Sequence, residues 1–229
     1  MTGFQRYAVY YAPRPGPLAE LADHWLGREM DSGAAREQPR LNGLDAPLRD
    51  LTAEARRYGF HGTIRAPFAL AADASQDDLF AIVSDLAAQL APLRCDGLQL
   101  EDLHGFLALT PIGCEAALLE LGALVVEATN LLRRPLSPRD VARRRPETLT
   151  TRQRVLLEIW GYPHVMEEFR FHLTLTDRLA TAQMPAVLAA AKAHFAPILN
   201  QPVTIEDLCL FGEDAGGIFH LIHRYALTG

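Results

Sequence analysis

Two short runs, Phe60-His61-Gly62-Thr63-Ile64 and Phe171-His172-Leu173-Thr174-Leu175, restrict what this chain can fold into more than any other feature. In each, a histidine and a threonine lie two positions apart among apolar neighbours. Side chains alternate between the two faces of a strand, so an extended run puts His61 and Thr63 on one face and backs Phe60, Gly62 and Ile64 onto a core. The second run does the same for His172 and Thr174 against Phe171, Leu173 and Leu175. Continuing the alternation adds Arg65 to the first polar face, and Arg170 and Thr176 to the second. The two histidines are separated by close to half of the 229-residue chain.

The segments around these runs read as regular elements. Tyr7 to Ala12 is a strand stopped by Pro13, Pro15 and Pro17, and Leu18 to Leu26 has helical spacing with Gly27 as its end. Arg28 to Asp50 is polar and weakly periodic, the pattern of a long surface loop, and loops of that length are often lids. The turn Thr52 to Arg57 leads into the first His-Thr strand. Ser75 is placed to cap a helix closed by Pro92, two strands follow over 98–103 and 105–110, and 115–132 is the longest helical stretch. A helix over 150–160, the second His-Thr strand over 167–176, a helix over 184–195 and a hairpin of 203–211 with 218–227 complete the chain.

A repeat emerges from this order, with 61–110 paralleling 172–227. Each part runs from a His-Thr strand through an amphipathic helix to two strands. Such duplication predicts one domain over 1–229 built of two pseudo-symmetric lobes, roughly 1–110 with the first H-x-T strand and 111–229 with the second, meeting at a central cleft.

Hydrophobic residues make up 49% of the chain and mean hydropathy is near zero, as in globular proteins that bury a sizeable core. A net charge of −6 argues against a nucleic-acid coat or a general membrane-surface binder, so an anionic substrate needs a local basic pocket. Cys95, Cys114 and Cys209 are odd in number and set among apolar residues, and are read as buried thiols rather than a disulfide framework or metal knuckle. Neither a signal-peptide pattern nor a membrane-length apolar run is visible, so the expected location is the cytoplasm. Arg133 to Glu147 crowds six arginines together, either a solvated polar segment or a source of positive potential at an anion site.

Two H-x-T-hydrophobic motifs, His61-Gly62-Thr63-Ile64 and His172-Leu173-Thr174-Leu175, on strands of a duplicated α+β chain resemble the 2H phosphoesterase superfamily. Arg57-Tyr58-Gly59-Phe60-His61, Ala66-Pro67-Phe68, Gly105-Phe106-Leu107-Ala108-Leu109, Arg133-Arg134-Pro135-Leu136-Ser137, Trp160-Gly161-Tyr162-Pro163 and Phe169-Arg170-Phe171-His172 are similar to the branch encoded in phosphonate-utilisation operons. This resemblance spans nearly the whole chain. It implies the two-lobed fold of 2′-5′ RNA ligase-like proteins, with antiparallel sheets, helices on the outer faces and a central cleft. Arg65 stands where that branch leads one to expect lysine, and His164 where it leads one to expect an aromatic residue.

Phosphodiester hydrolysis needs a base for the attacking oxygen and an acid for the leaving one. Two imidazoles facing each other across a cleft supply both near neutral pH. His61 and His172 are the candidate catalytic pair. Thr63 and Thr174 are placed to donate to the non-bridging phosphate oxygens, and Arg65 and Arg170 either spread charge toward them or form salt bridges. Tyr58 and Tyr162 are either packing groups or ligands of the substrate. His24, His104, His194, His220 and His223 have no matched partner and are read as surface or core residues. No cofactor is called for, and no carboxylate-histidine cluster at metal-ligand spacing is seen.

The expectation is thus a metal-independent phosphoesterase acting on a small, cyclic phosphorylated metabolite, placed by the resemblance in phosphonate breakdown. Two alternatives share the site. One is RNA-end processing, by 2′,3′-cyclic phosphate opening or 2′-5′ ligation, with short RNA ends as the only nucleic-acid partner. The other is a protein that binds a phosphorylated metabolite without turning it over.

Overall fold

The computed structural model describes residues 3–41 and 43–229. Met1, Thr2 and Asn42, which fall within the N-terminal and loop expectations above, lie outside the described residues. β1 (Arg6–Tyr11) leads to α1 (Pro17–Leu26), which starts on a proline and ends at Gly27 in the left-handed region. α2 (Leu48–Leu51) and α3 (Ala55–Tyr58) are single turns before β2 (Gly62–Phe68). α4 (Gln76–Gln89) begins in a reciprocal capping box of Ser75 with Asp78, and β3 (Leu93–Cys95), β4 (Gly97–Asp102) and β5 (Leu107–Ile112) follow. α5 (Glu115–Thr129) tightens into a 3-10 turn over Asn130–Leu132. α6 (Pro138–Arg143) and α7 (Thr151–Trp160) each start in a capping box, Ser137 with Asp140 and Thr150 with Gln153. β6 (Leu173–Thr174), α8 (Met184–Phe195), β7 (Val203–Ile205), β8 (Asp207–Glu213) and β9 (Phe219–Ala226) end the chain.

The order β2-α4-β3-β4-β5 recurs as β6-α8-β7-β8-β9, so the repeat expected from the sequence is present in the run of elements. Seven strands form one antiparallel sheet ordered β4-β5-β6-β2-β1-β8-β9, and β3 pairs with its repeat counterpart β7 in a second, two-stranded sheet. The two histidine strands, β2 and β6, are neighbours at the centre. The hairpin β4-β5 lies against β6, while β8-β9 reaches β2 through β1. Each side of the sheet therefore carries the histidine strand of one half and the hairpin of the other.

One face of the sheet packs against the helices. Ile64, Phe171, Leu173 and Leu175 join Leu79, Val83, Leu121, Val125 and Val187 in the main core, as the strand alternation requires. β1 is buried on both faces, with Tyr7, Val9 and Tyr11 in that core and Ala8, Tyr10 and Ala12 in a second cluster with Phe211 and Phe219. Tyr10 thereby reaches the open face, where the histidines are.

Three expectations change. The segment from Arg28 is no free loop at its start, because the buried Arg28 guanidinium donates to the carbonyls of Arg57 and Phe219 at 2.9 and 2.6 Å and Met30 is buried. The second His-Thr strand is two residues long rather than ten, because Leu175 and Thr176 both donate to the Leu107 carbonyl and the ladder ends there. Cys95 and Cys114 are buried but joined in a disulfide. In the β4-β5 hairpin Gly97 lies opposite Ile112, and carrying that register two residues outward sets the cysteines opposite each other. Cys209 is free and buried, and burial pushes its thiol up to about 11. Among the described residues no helix is long and apolar enough to cross a membrane.

Candidate active site

His61 precedes the first residue of β2 and His172 the first residue of β6, and Gly62 is paired with Leu173 between these antiparallel strands. Carried one residue either way, that register sets His61 opposite Thr174 and Thr63 opposite His172. Each histidine thus faces the threonine of the other motif. Opposite residues have Cβ atoms about 4.5–5.5 Å apart and diagonal ones about 7–8 Å. On that spacing His61 and His172 form a diagonal pair with Cβ atoms about 7–8 Å apart. Glycine at position 62 makes room for the Phe171 ring, which a Cβ there would approach to 2.2 Å.

The two rings are held alike. Nδ1 of His61 bonds to the Gly59 carbonyl at 2.9 Å, and Nδ1 of His172 to the Arg170 carbonyl at 2.7 Å. A carbonyl oxygen only accepts, so each Nδ1 carries the proton and each Nε2 is left to take up or deliver one. Burial pushes His61 down to about 4; its carbonyl bond opposes this and the positive charge of His172 adds to it. His172 is also lowered, first by burial and then by the charges of Arg170 and His164, against its own carbonyl bond. The Tyr10 ring covers His61 with centroids 4.0 Å apart, Tyr58 lies 5.9 Å away, and Phe106 packs 5.6 Å from His172.

In front of His61 is a cleft of about 410 Å³ lined by Thr63, Thr174, Tyr58, Tyr162, Arg6 and Arg144, among others; His172 is not in its lining and borders it through Phe106. Among the described residues the Thr63 and Thr174 hydroxyls have no hydrogen-bond partner, so both are free to donate to a ligand. Arg144 lies over the Tyr162 ring at 4.8 Å and has no carboxylate partner among the described residues, whereas Arg6 is paired with Glu213. No group of three or more His, Cys, Asp or Glu side chains able to hold a metal is found among the described residues.

Neither Arg65 nor Arg170 lines the histidine cleft. Arg65 is 1% exposed and turned away from the histidine cleft. The β1-β2 ladder shifts register on both sides of Val9, which sits opposite Arg65, and such bulges re-aim the bulged side chain. Arg65 runs instead toward the ends of α5 and α7, where it donates to the Trp160 carbonyl at 3.1 Å and stacks on Phe68 at 5.1 Å. Arg170 pairs with Glu101 on β4 and lines a different groove. His164 is exposed beside Tyr162, with ring centroids 5.6 Å apart.

Tyr10, Arg6 and Phe106 were not among the sequence candidates. Tyr10 had a signal, since a strand apolar at every position from Tyr7 to Ala12 is buried on both faces and presents an aromatic ring to each. Arg6 and Phe106 had none that separates them from other arginines and aromatics.

The chain is 36% identical over 221 residues to "Ribose 1,5-bisphosphate phosphokinase PhnN" of Janthinobacterium sp. (strain Marseille), covering 93% of this chain and 48% of the relative. It is 40% identical over 220 residues to the protein of that name in Laribacter hongkongensis (strain HLHK9), covering 94% and 50%. The chain thus spans about half the length of these relatives. Among solved structures, TT0787 of Thermus thermophilus is similar at 15% identity and a TM-score of 0.48, covering 98% of each chain. E. coli LigT complexed with 3′-AMP is similar at 14% and 0.47, covering 99% of each. Residues 63–220, which hold Thr63 of the first motif and the whole of the second, match the family described as "Protein of unknown function (DUF1045)", and the chain belongs to that family.

Proposed function

We propose that the chain hydrolyses a small cyclic phosphodiester by acid–base catalysis between His61 and His172. The observation that carries this reading is the matched anchoring of the two imidazoles on paired strands, each opposite the other motif's threonine. In the proposed reaction one Nε2 takes a proton from water as its oxygen bonds to phosphorus. The opposite ring delivers a proton to the ester oxygen as its bond to phosphorus breaks, and a phosphomonoester with a free hydroxyl results. His61, held neutral by burial, is assigned as the base, and His172 as the acid once the substrate's negative charge has drawn a proton onto it. Thr63 and Thr174 donate to the non-bridging oxygens and Arg144 offsets their charge. No step requires a metal.

A cleft of about 410 Å³ is in the lower part of the range for small-molecule sites, which supports a metabolite or mononucleotide over a long polynucleotide. The relatives' name speaks of a phosphokinase. The one lysine of this sequence, Lys192, follows Ala191 and not a glycine, so the glycine-lysine phosphate loop of P-loop kinases is not in it. Their name does support a phosphorylated sugar as the substrate class, in line with the resemblance to phosphonate-operon proteins.

Incubation with a panel of cyclic sugar phosphates and 2′,3′-cyclic nucleotides in EDTA, read by phosphorus-31 resonance, tests the proposal. A phosphomonoester signal from at least one small substrate is expected. Thermal stabilisation by these compounds with no product from any would favour the binding protein instead.

A further inference from the structure

Beside the histidine cleft lies a narrower recess of about 40 Å³ that shares Arg6, Ala66, Pro67, Arg144 and Tyr162 with it. By the volume one water needs, it holds roughly three water-sized groups, enough for the oxygens of a phosphoryl group but not for a sugar ring. Its wall is cationic. Arg65 and Arg133 line it, Arg144 stands at the junction with the cleft, and none of the three is paired with a carboxylate among the described residues. Asp140, the one acid in the wall, is engaged by the Ser137 cap and Arg143.

Arg65 is the telling member. It is 1% exposed, and its Nε is buried without any hydrogen-bond partner. A buried guanidinium with no counter-charge and an unmet donor is costly, and an anion in the recess would meet both needs. Burial pushes Arg65 down to about 9, with the charge of Arg133 adding to the effect. Arg133 is set against the backbone of Gly161, where a Cβ would come within 2.9 Å of its side chain. The segment 133–145, read from the sequence as either solvated or anion-binding, is divided by the fold. Arg133 and Arg144 are half-buried at the recess and Arg134 and Arg143 line it from exposed positions, while Arg139 and Arg145 are exposed and outside its lining.

We propose that this recess holds a second phosphate group of the substrate, so that the chain acts on cyclic phosphodiesters that carry another phosphate. This specificity rests on the histidine cleft being the reacting site, while the recess itself does not.

Calorimetric titration with inorganic phosphate separates the two. Wild type is expected to bind two phosphates per chain. Arg133→Gln should weaken one of them by roughly 10-fold or more, the scale of a charge-assisted hydrogen bond, while His61→Asn with His172→Asn leaves that one in place. Arg65→Met should act like Arg133→Gln; because Arg65 is interior, the half-buried Arg133 is the primary variant. Phosphate binding undiminished in Arg133→Gln, or no phosphate retained when His61→Asn and His172→Asn are combined, overturns the recess. A kinetic comparison of 2′,3′-cyclic AMP with its 5′-phosphorylated counterpart should favour the latter at least 10-fold in wild type and not in Arg133→Gln, again the scale of one charge-assisted contact; equal preference in wild type overturns the specificity. Failure of all cyclic phosphates to turn over would count against the hydrolase reading alone, since the phosphate titration still decides the recess.

Discussion

His61 and His172 are held by the same device: each Nδ1 donates to the carbonyl two residues earlier, and each closely follows a short helical turn, α3 in one case and the 3-10 turn Met166–Glu168 in the other. The repeat is thus kept down to the atoms that fix the tautomer. On both rings Nδ1 is taken up by a backbone carbonyl, and burial lowers both imidazoles, His61 to about 4, which favours their neutral form at neutral pH.

That state sets the pH dependence. A base near 4 and an acid lowered below 6.5 place the optimum of kcat/KM on the acid side, rising above about pH 4 and falling before 6.5. In the substrate complex the phosphodiester charge raises both rings, so the kcat profile should lie at higher pH. Steady-state rates across the acid and neutral range check this; a kcat/KM that keeps climbing beyond neutrality would contradict it.

His61 also couples stability to pH. Above pH 6.5 it is neutral folded and unfolded. Below that the unfolded chain takes up a proton that the folded one refuses until about 4, so stability falls across this window. Asp23, raised to about 6 by burial, works in the opposite direction, and the comparison must therefore be between variants. Wild type should lose more denaturant stability than His61→Asn as pH falls from neutrality to about 4; equal losses would refute the burial account.

Gly62→Ala should destabilise the centre of the sheet. The added methyl meets the Phe171 ring, and overpacking of this kind costs about 1–3 kcal/mol. Thermal melting would show the drop, and an unchanged melt would mean that Phe171 has room to move.

Cys95→Ser with Cys114→Ser should lower stability by about 3 kcal/mol, the scale for a loop of this length. Equal denaturation midpoints for the oxidised wild type and the double variant would show the bond to be of no consequence.

Much of this was legible in the chain. Strand alternation placed Phe60, Ile64, Phe171, Leu173 and Leu175 in the core, and the capping signal at Ser75 marked a helix start. What escaped depends on partners distant in sequence. Arg65 was assigned to the histidine face by its parity, but bulges against β1 turned it away, and parity cannot register a bulge. Arg170 had the right parity and still left the cleft, because Glu101 on β4, the next strand but one from β6, offered it a carboxylate. Cys95 and Cys114 meet through a hairpin register that spacing alone does not disclose.

The most direct test of the central claim is turnover of a cyclic phosphodiester by His61→Asn and His172→Asn beside wild type, with melting temperatures measured on the same samples. Each imidazole contributes as acid or base, so each variant should lose about 10²–10⁴ in kcat while remaining folded. Full activity in either folded variant would contradict the account.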